Sequence, residues 1–211
     1  MTLCVAGGGL FRHVWLLKRS PVHLTTWGTF VAPHVSTEHA LAAAAASGGA
    51  GRLQGKASLN ISAVVAAAAG AAAGAVSATF DLISTAGATV TTLKAAPVTV
   101  AAGSEGTLHA TGEVSAPVDL WTVRAPTLYT VRTQLLSAAG AVLDESNTTV
   151  GFRSLRFDAD SGFHMNEQHV KVRGFCDHND FANVGVGVPD RVNLFRAQAA
   201  RSIGGNGRRT R

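Results

Sequence analysis

Two carboxylates, Asp158 and Asp160, are the first place in this sequence where side-chain chemistry could be concentrated. A close pair of carboxyl groups can divide the roles of general acid and general base. This stretch runs into Ser161-Gly162, however, and reads as a solvated turn. The two cysteines, Cys4 and Cys176, lie far apart and sit in no CxxC or Cys/His zinc spacing. Cys176 reads as an unpaired thiol without a catalytic part. Gly7-Gly8-Gly9 lacks the Lys-Ser/Thr of a phosphate loop, and Gly185-Val186-Gly187 lacks the third glycine of a dinucleotide fingerprint. No serine or cysteine lies in a nucleophile elbow. No metal and no cofactor is expected.

The chain has 211 residues, of which 46% are apolar and 15% charged, so it is not a charge-solvated disordered chain. Its net charge of +5 invites a nucleic-acid reading, but six of the arginines fall between Arg191 and Arg211. That terminal cluster is not a basic stripe interleaved with aromatics, so no nucleic-acid partner is expected. Ile61 to Ala78 is an uncharged run of 18 residues, long enough to reach across a bilayer. Its side chains are mostly Ala and Gly, which give little transfer energy, and Val-rich pieces at both ends predict two strands joined by a small-residue linker. No membrane association is expected, and no secretory signal is readable at Met1 to Leu10. Compartment and oligomeric state are not legible. Asn60-Ile61-Ser62 and Asn147-Thr148-Thr149 have the form of glycosylation sequons, a tripeptide that is common by chance.

Four segments follow from patterning. In residues 1–35, Phe11 to Leu17 and Val22 to Val31 read as strands split by Ser20-Pro21. Residues 36–55 are low-complexity and read as a linker, with Ala42 to Ala46 able to form a short helix. Residues 56–153 alternate apolar and polar positions in runs beginning at Ser58, Val76, Thr89, Val98, Gly106, Tyr129 and Val142. Turns such as Thr85-Ala86-Gly87 and Ala138-Ala139-Gly140 separate them. Seven short strands at this spacing predict an antiparallel immunoglobulin-like sandwich, with Trp121 and Tyr129 in its core. This span alone is expected to form a self-sufficient core. Residues 154–211 read as a turn at Asn166 to Gln168, a strand at Val170 to Phe175, a helix from Arg191 to Ile203 capped by Asp190, and the start of another strand. Strand, loop, helix and strand make the first unit of an α/β fold, and both ends of the chain are expected to be cut.

Four parts of the chain then carry a resemblance. Leu120 to Val131 (LWTVRAPTLYTV) resembles the "W-x-x-x-x-P-x-L-Y-x-V" stretch of glycoside hydrolase family 2. Gly151-Phe152-Arg153, Gly162-Phe163, Asn166 and Val170 to Gly174 are similar to that family's junction between sandwich and barrel. Asp177-His178-Asn179-Asp180 and Gly204 to Thr210 resemble its first barrel segments, and Gly7 to Trp27 is similar to the last strands of its sugar-binding jelly roll. Residues 40–75 match no motif.

The resemblance implies a mainly β chain: the end of a jelly roll at 1–35, a linker at 36–55, the sandwich at 56–153, and the start of a (β/α)₈ TIM barrel at 154–211. It implies a retaining glycosidase of β-galactosidase type acting on a carbohydrate substrate, a β-glycoside, through two glutamates on later barrel strands. Those glutamates match no residue here, and Glu105, Glu113, Glu145 and Glu167 fit no catalytic motif. The chain alone is therefore expected to be inactive. Two matches remain. His178 corresponds to a histidine that contacts sugar hydroxyls, and Arg209 to an arginine beside the nucleophile carboxylate. The match then departs from the family, since Arg211 stands where a small residue precedes a histidine. The alternative is a non-catalytic sandwich serving as a carbohydrate-binding or structural module.

Overall fold

In the computed structural model, residues 10, 12–36, 52–71 and 74–210 are described. The elements run β1 (Val22–Val35), β2 (Gln54–Gly55), β3 (Ala57–Ala67), β4 (Gly74–Ile83), β5 (Thr89–Val100), β6 (Glu105–Glu113), β7 (Val118–Asp119), β8 (Tyr129–Ser137) and β9 (Val142–Val150). They continue with β10 (Leu155–Asp158), β11 (Gly162–Met165), β12 (Gln168–His169), β13 (Gly174–Asp177), α1 (Asp190–Ser202) and β14 (Gly207–Thr210). Contacts divide the chain into two units: Lys18–His169, and Met1–Leu17 together with Val170–Arg211.

The first unit is built on an antiparallel sandwich of immunoglobulin type. One sheet has the order β1-β3-β6 and the other β5-β4-β8-β9. Strict alternation along β3 buries Leu59, Ile61, Ala63 and Val65, while β4 and β8 present Phe80, Leu82, Val131 and Leu135 to the same core. The Ala-Gly run therefore becomes the end of β3, a turn at 68–71 and the start of β4, as its Val-rich ends predict. No helix among the described residues is long and apolar enough to cross a membrane.

The seven sandwich strands differ in membership from the expected seven. The stretches expected at Thr89 to Leu93 and from Val98 are one strand, β5, which ends at Val100, because Pro97 is accommodated on an exposed sheet edge where the register with β4 slips between Val76 and Ala78. The seventh strand is β1, which pairs with β3 from Val22↔Ala67 to Val35↔Ala57. Residues 22–35 thus belong to the sandwich, which corrects the boundary expected at 35. A fourteen-residue strand finds its partner in β3, whose other edge is taken by β6. Arg12 to Leu17 forms no strand, and Phe11 lies outside the described residues. The helix considered at Ala42 to Ala46 also lies outside them. Gln54-Gly55, expected within the linker, pairs with Val118-Asp119. The compact unit runs over 18–169 and not over 56–153 alone.

The Gly151-Phe152-Arg153 motif has a packing reason. Phe152 is fully buried and meets Tyr129 edge-on, with ring centroids 5.2 Å apart. A Cβ on Gly151 would lie 3.1 Å from Trp121 Cδ1, so glycine lets the indole lie against the chain. Arg153 places its guanidinium 4.9 Å from the Trp121 ring centroid. Trp121 is consequently half-buried and not a core residue, whereas Tyr129 is buried and accepts the Asp119 amide at its hydroxyl, 2.9 Å away. Beyond this motif β10, β11 and β12 form a small meander. Asn166 and Glu167, at φ of 51° and 60°, make the two-residue turn that joins β11 to β12.

In the second unit β13 and β14 pair in parallel, joined through α1. The strand begins at Gly174, later than the expected Val170. Pro189 occupies the N-cap position without a side-chain bond, and Asp190 lies within the first turn, so the expected Asp190 cap is not formed. A proline at that place fixes an extended entry to the helix while Asp190 still faces the positive helix end. Gly204, at φ 87°, closes the helix, its amide donating to the Arg201 carbonyl at 3.0 Å.

Candidate functional site

Parallel strands joined through a helix end side by side, so the residues at their carboxyl ends are brought together. The register pairs Cys176 with Arg209 and Asp177 with Thr210. Asn206 fixes that register from the side. Its Oδ1 accepts the Arg173 amide at 2.7 Å, and its Nδ2 donates to the Lys171 carbonyl at 3.0 Å. Gly205 is required next to it, since a Cβ there would lie 2.7 Å from both the Ala200 carbonyl oxygen and the Phe175 ring.

Alternation along the strands then sorts the chemistry by face. Asp177 points toward the helix, where Arg196 Nη2 stands 3.3 Å from its Oδ1 and Arg208 Nη2 pairs with its Oδ2. Cys176 and Arg209 share the other face, with Arg209 Nη1 donating to Cys176 Sγ at 3.4 Å. His178 follows directly. Its carbonyl accepts from Arg196 Nη1 at 3.1 Å, and its imidazole is exposed. Arg196 also donates to the Asp180 carbonyl and lies 5.0 Å from the Phe181 ring centroid. One arginine on α1 therefore anchors the loop that carries His178.

The structure brings the two expected site residues, His178 and Arg209, to the same end of one strand pair. The sequence reading missed Arg196, which holds the His178 carbonyl, and Asp177, which pairs with Arg196 and Arg208. Asp177 stood inside the quoted DHND stretch, but Arg196 had only its helical register as a signal. Asp158, the other early candidate, accepts from the Ser161 hydroxyl at 2.7 Å and from the Asp160 and Ser161 amides. Those bonds hold its carboxyl below the usual carboxylate range, so it closes the solvated turn expected there. Among the described residues no group of three His, Cys, Asp or Glu side chains is arranged to hold a metal ion.

An exposed imidazole and an exposed guanidinium at strand ends can bind hydroxyl and carboxylate groups and orient them. Comparisons with known proteins bear on which ones. Residues 51–153 match the family described as glycosyl hydrolases family 2. The chain is 29% identical over 202 residues to the β-galactosidase BoGH2A of Bacteroides ovatus, an alignment covering 96% of this chain and 21% of that protein. It is 30% identical over 89 residues to a β-glucuronidase of Formosa agariphila, covering 41% of this chain and 9% of that one. Among solved structures, a β-glucuronidase of Bacteroides uniformis superposes with a TM-score of 0.75 at 27% identity, over 98% of this chain and 24% of that one. A family 2 member from Bacteroides cellulosilyticus gives 0.74 at 28% identity, over 90% and 22%. The chain thus spans about a fifth of the length of the first curated relative it matches.

Proposed function

We propose, from the match of residues 51–153 to glycosyl hydrolases family 2, that the chain belongs to that family and is part of a retaining glycosidase of β-galactosidase type. The observation that carries the reading is the placement of His178 and Arg209 at the carboxyl ends of adjacent parallel strands, after a family 2 sandwich. In a (β/α)₈ barrel that end of the strands is where substrate is bound. In this reading β13, α1 and β14 open the barrel. The His178 imidazole holds a hydroxyl of the sugar, and the Arg209 guanidinium keeps a nucleophilic carboxylate ionised.

Retaining cleavage needs an acid to protonate the leaving oxygen and a carboxylate to receive the oxocarbenium-like centre, about 5–5.5 Å apart. His178 and Arg209 orient and stabilise, and they supply neither role. The purified 211-residue chain is therefore expected to show no turnover of nitrophenyl β-galactoside, β-glucuronide or β-mannoside above buffer. In a longer version that continues through the barrel, nitrophenyl β-galactoside is the expected best substrate. His178→Ala should lower its kcat/KM by about a hundredfold with an unchanged unfolding transition, in line with the loss of a transition-state hydrogen bond. Turnover by the short chain that survives re-purification overturns the first expectation. An active longer enzyme indifferent to His178→Ala overturns the site assignment.

A further inference from the structure

Trp27 is the most conspicuous side chain that the site above does not use. It is 97% exposed, although it sits within β1. The pairing of β1 with β3 passes from Leu24↔Val65 to Thr29↔Ala63, so four residues of β1 face one of β3. Three residues are therefore surplus, and Thr25–Gly28 bulge out with Trp27 at φ 58°. A bulky side chain in that left-handed region is strained, and such strain persists only where the surroundings impose it. Here β9 imposes it from both sides. Asp144 Oδ2 accepts the Leu24 amide at 3.0 Å before the bulge, and the Thr29 and Ser146 hydroxyls meet at 3.5 Å after it.

Between the bulge and Asp144–Thr149 of β9 lies an open cleft of about 440 Å³. Thr26, Asn147 and Thr148 line it, and their side chains make no hydrogen bond among the described residues. Together they offer two hydroxyls and a carboxamide, which donate and accept in both directions. Glu145 adds a carboxylate whose Oε2 already accepts from Gln134 at 2.8 Å. A fully exposed indole plate beside unpaired hydroxyl and amide groups fits a ligand with an apolar C–H face and a polar hydroxyl rim. A pyranose ring has that combination.

We infer that the Trp27 bulge and β9 form a saccharide-binding subsite on the sandwich. Its ligand is a β-linked sugar, the ring stacked on Trp27 and its hydroxyls bonded to Asn147 and Thr26. The choice of sugar class rests on the glycosidase reading, but the subsite itself has no catalytic group and does not use His178 or Arg209. Tethering at both ends makes the bulge pre-organised, so binding needs little ordering of the loop.

The test is a titration of the isotopically labelled 211-residue chain with methyl β-galactoside, methyl β-glucuronide and a β-linked galactotriose, followed by NMR. Binding with a Kd of about 1 mM should shift the Trp27 indole N–H and the amides of 25–29 and 144–149. Trp27→Gly is the informative variant, because glycine accepts the bulge conformation. It should weaken binding at least tenfold without lowering Tm, and Trp27→Phe should retain part of the affinity. Absence of these shifts with all three sugars overturns the inference, as does undiminished binding by Trp27→Gly. Protection of Trp27 from N-bromosuccinimide in the longer protein, set against its oxidation in this chain, would also overturn it by assigning the face to a protein contact. Hydrolysis by the longer protein is read separately, so either proposal can fail while the other stands.

Discussion

Asn166 Nδ2 donates to the main-chain oxygen of Trp121 at 3.0 Å, which ties the β11–β12 turn to the segment leaving β7. Asn166 Oδ1 also accepts the Ser154 amide at 3.0 Å, and the residue is 1% exposed at φ 51°. One side chain thus satisfies two main-chain groups where the sandwich passes into the meander. Asn166→Ala loses both bonds and places a Cβ residue without polar compensation in the left-handed region. It is expected to cost about 2–4 kcal/mol. Asn166→Gly should lose about 1 kcal/mol less, since only the bonds are missing. Urea unfolding with an unchanged slope would measure both.

Thr133 is fully buried in β8, and its Oγ1 has no hydrogen-bond partner among the described residues. A buried hydroxyl without a partner has given up its water bonds for nothing in return. Thr133→Val keeps the branched shape and removes that group. Stability should rise by about 1 kcal/mol, read as a higher urea midpoint, and a fall would show that the hydroxyl is satisfied.

Asp81 on β4 stands directly between Thr92 on β5 and Arg132 on β8. Burial alone would push its carboxyl up, but the Thr92 hydroxyl at 2.6 Å and the Arg132 guanidinium at 2.6 Å together bring it below the usual value. A carboxyl lowered in the folded state stabilises above its unfolded value of about 3.9, and that contribution is lost as pH falls through the folded value. Thermal stability should therefore decline below about pH 4, and Asp81→Asn should flatten the decline while lowering Tm at pH 7.

Arg196→Ala should release the loop after β13, because the His178 and Asp180 carbonyls lose their donor. Amide exchange over 179–183 is expected to quicken roughly tenfold, while amides in β3 and β8 stay protected. Equal acceleration across the sandwich would mean that Arg196 supports the fold at large.

What the sequence made legible follows from the range of each interaction. Alternation is local, so β3, β4, β6, β8 and β9 could be read from their own residues, and so could a turn at Asn166 to Gln168, although Gln168 already belongs to β12. Pairing is not local. β1 carried the pattern of a strand, but nothing in Val22–Val35 says that it lies beside Ala57–Ala67. The bulge within it was invisible for the same reason, since its extra residues are extra only against β3. At the candidate site, motif residues such as His178 and Arg209 stood out by resemblance. Arg196 did not, because its role depends on which turn of α1 passes the end of β13.

The slip that lets Pro97 into β5 has a consequence for how this protein meets its neighbours in solution. β5 is the last strand of its sheet, and the edge of such a strand is a template on which another chain can pair. Pro97 withholds one donor from that edge, the slipped register twists it locally, and the exposed Lys94 adds a charge that an incoming strand would have to bury. A chain so rich in alanine, glycine and valine has little charge elsewhere on this strand to repel its own copies. The irregularity of β5 makes this end of the four-stranded sheet a poor template for a further strand. Replacing Pro97 and Lys94 with valine removes both obstacles, and light scattering is expected to show self-association rising with concentration.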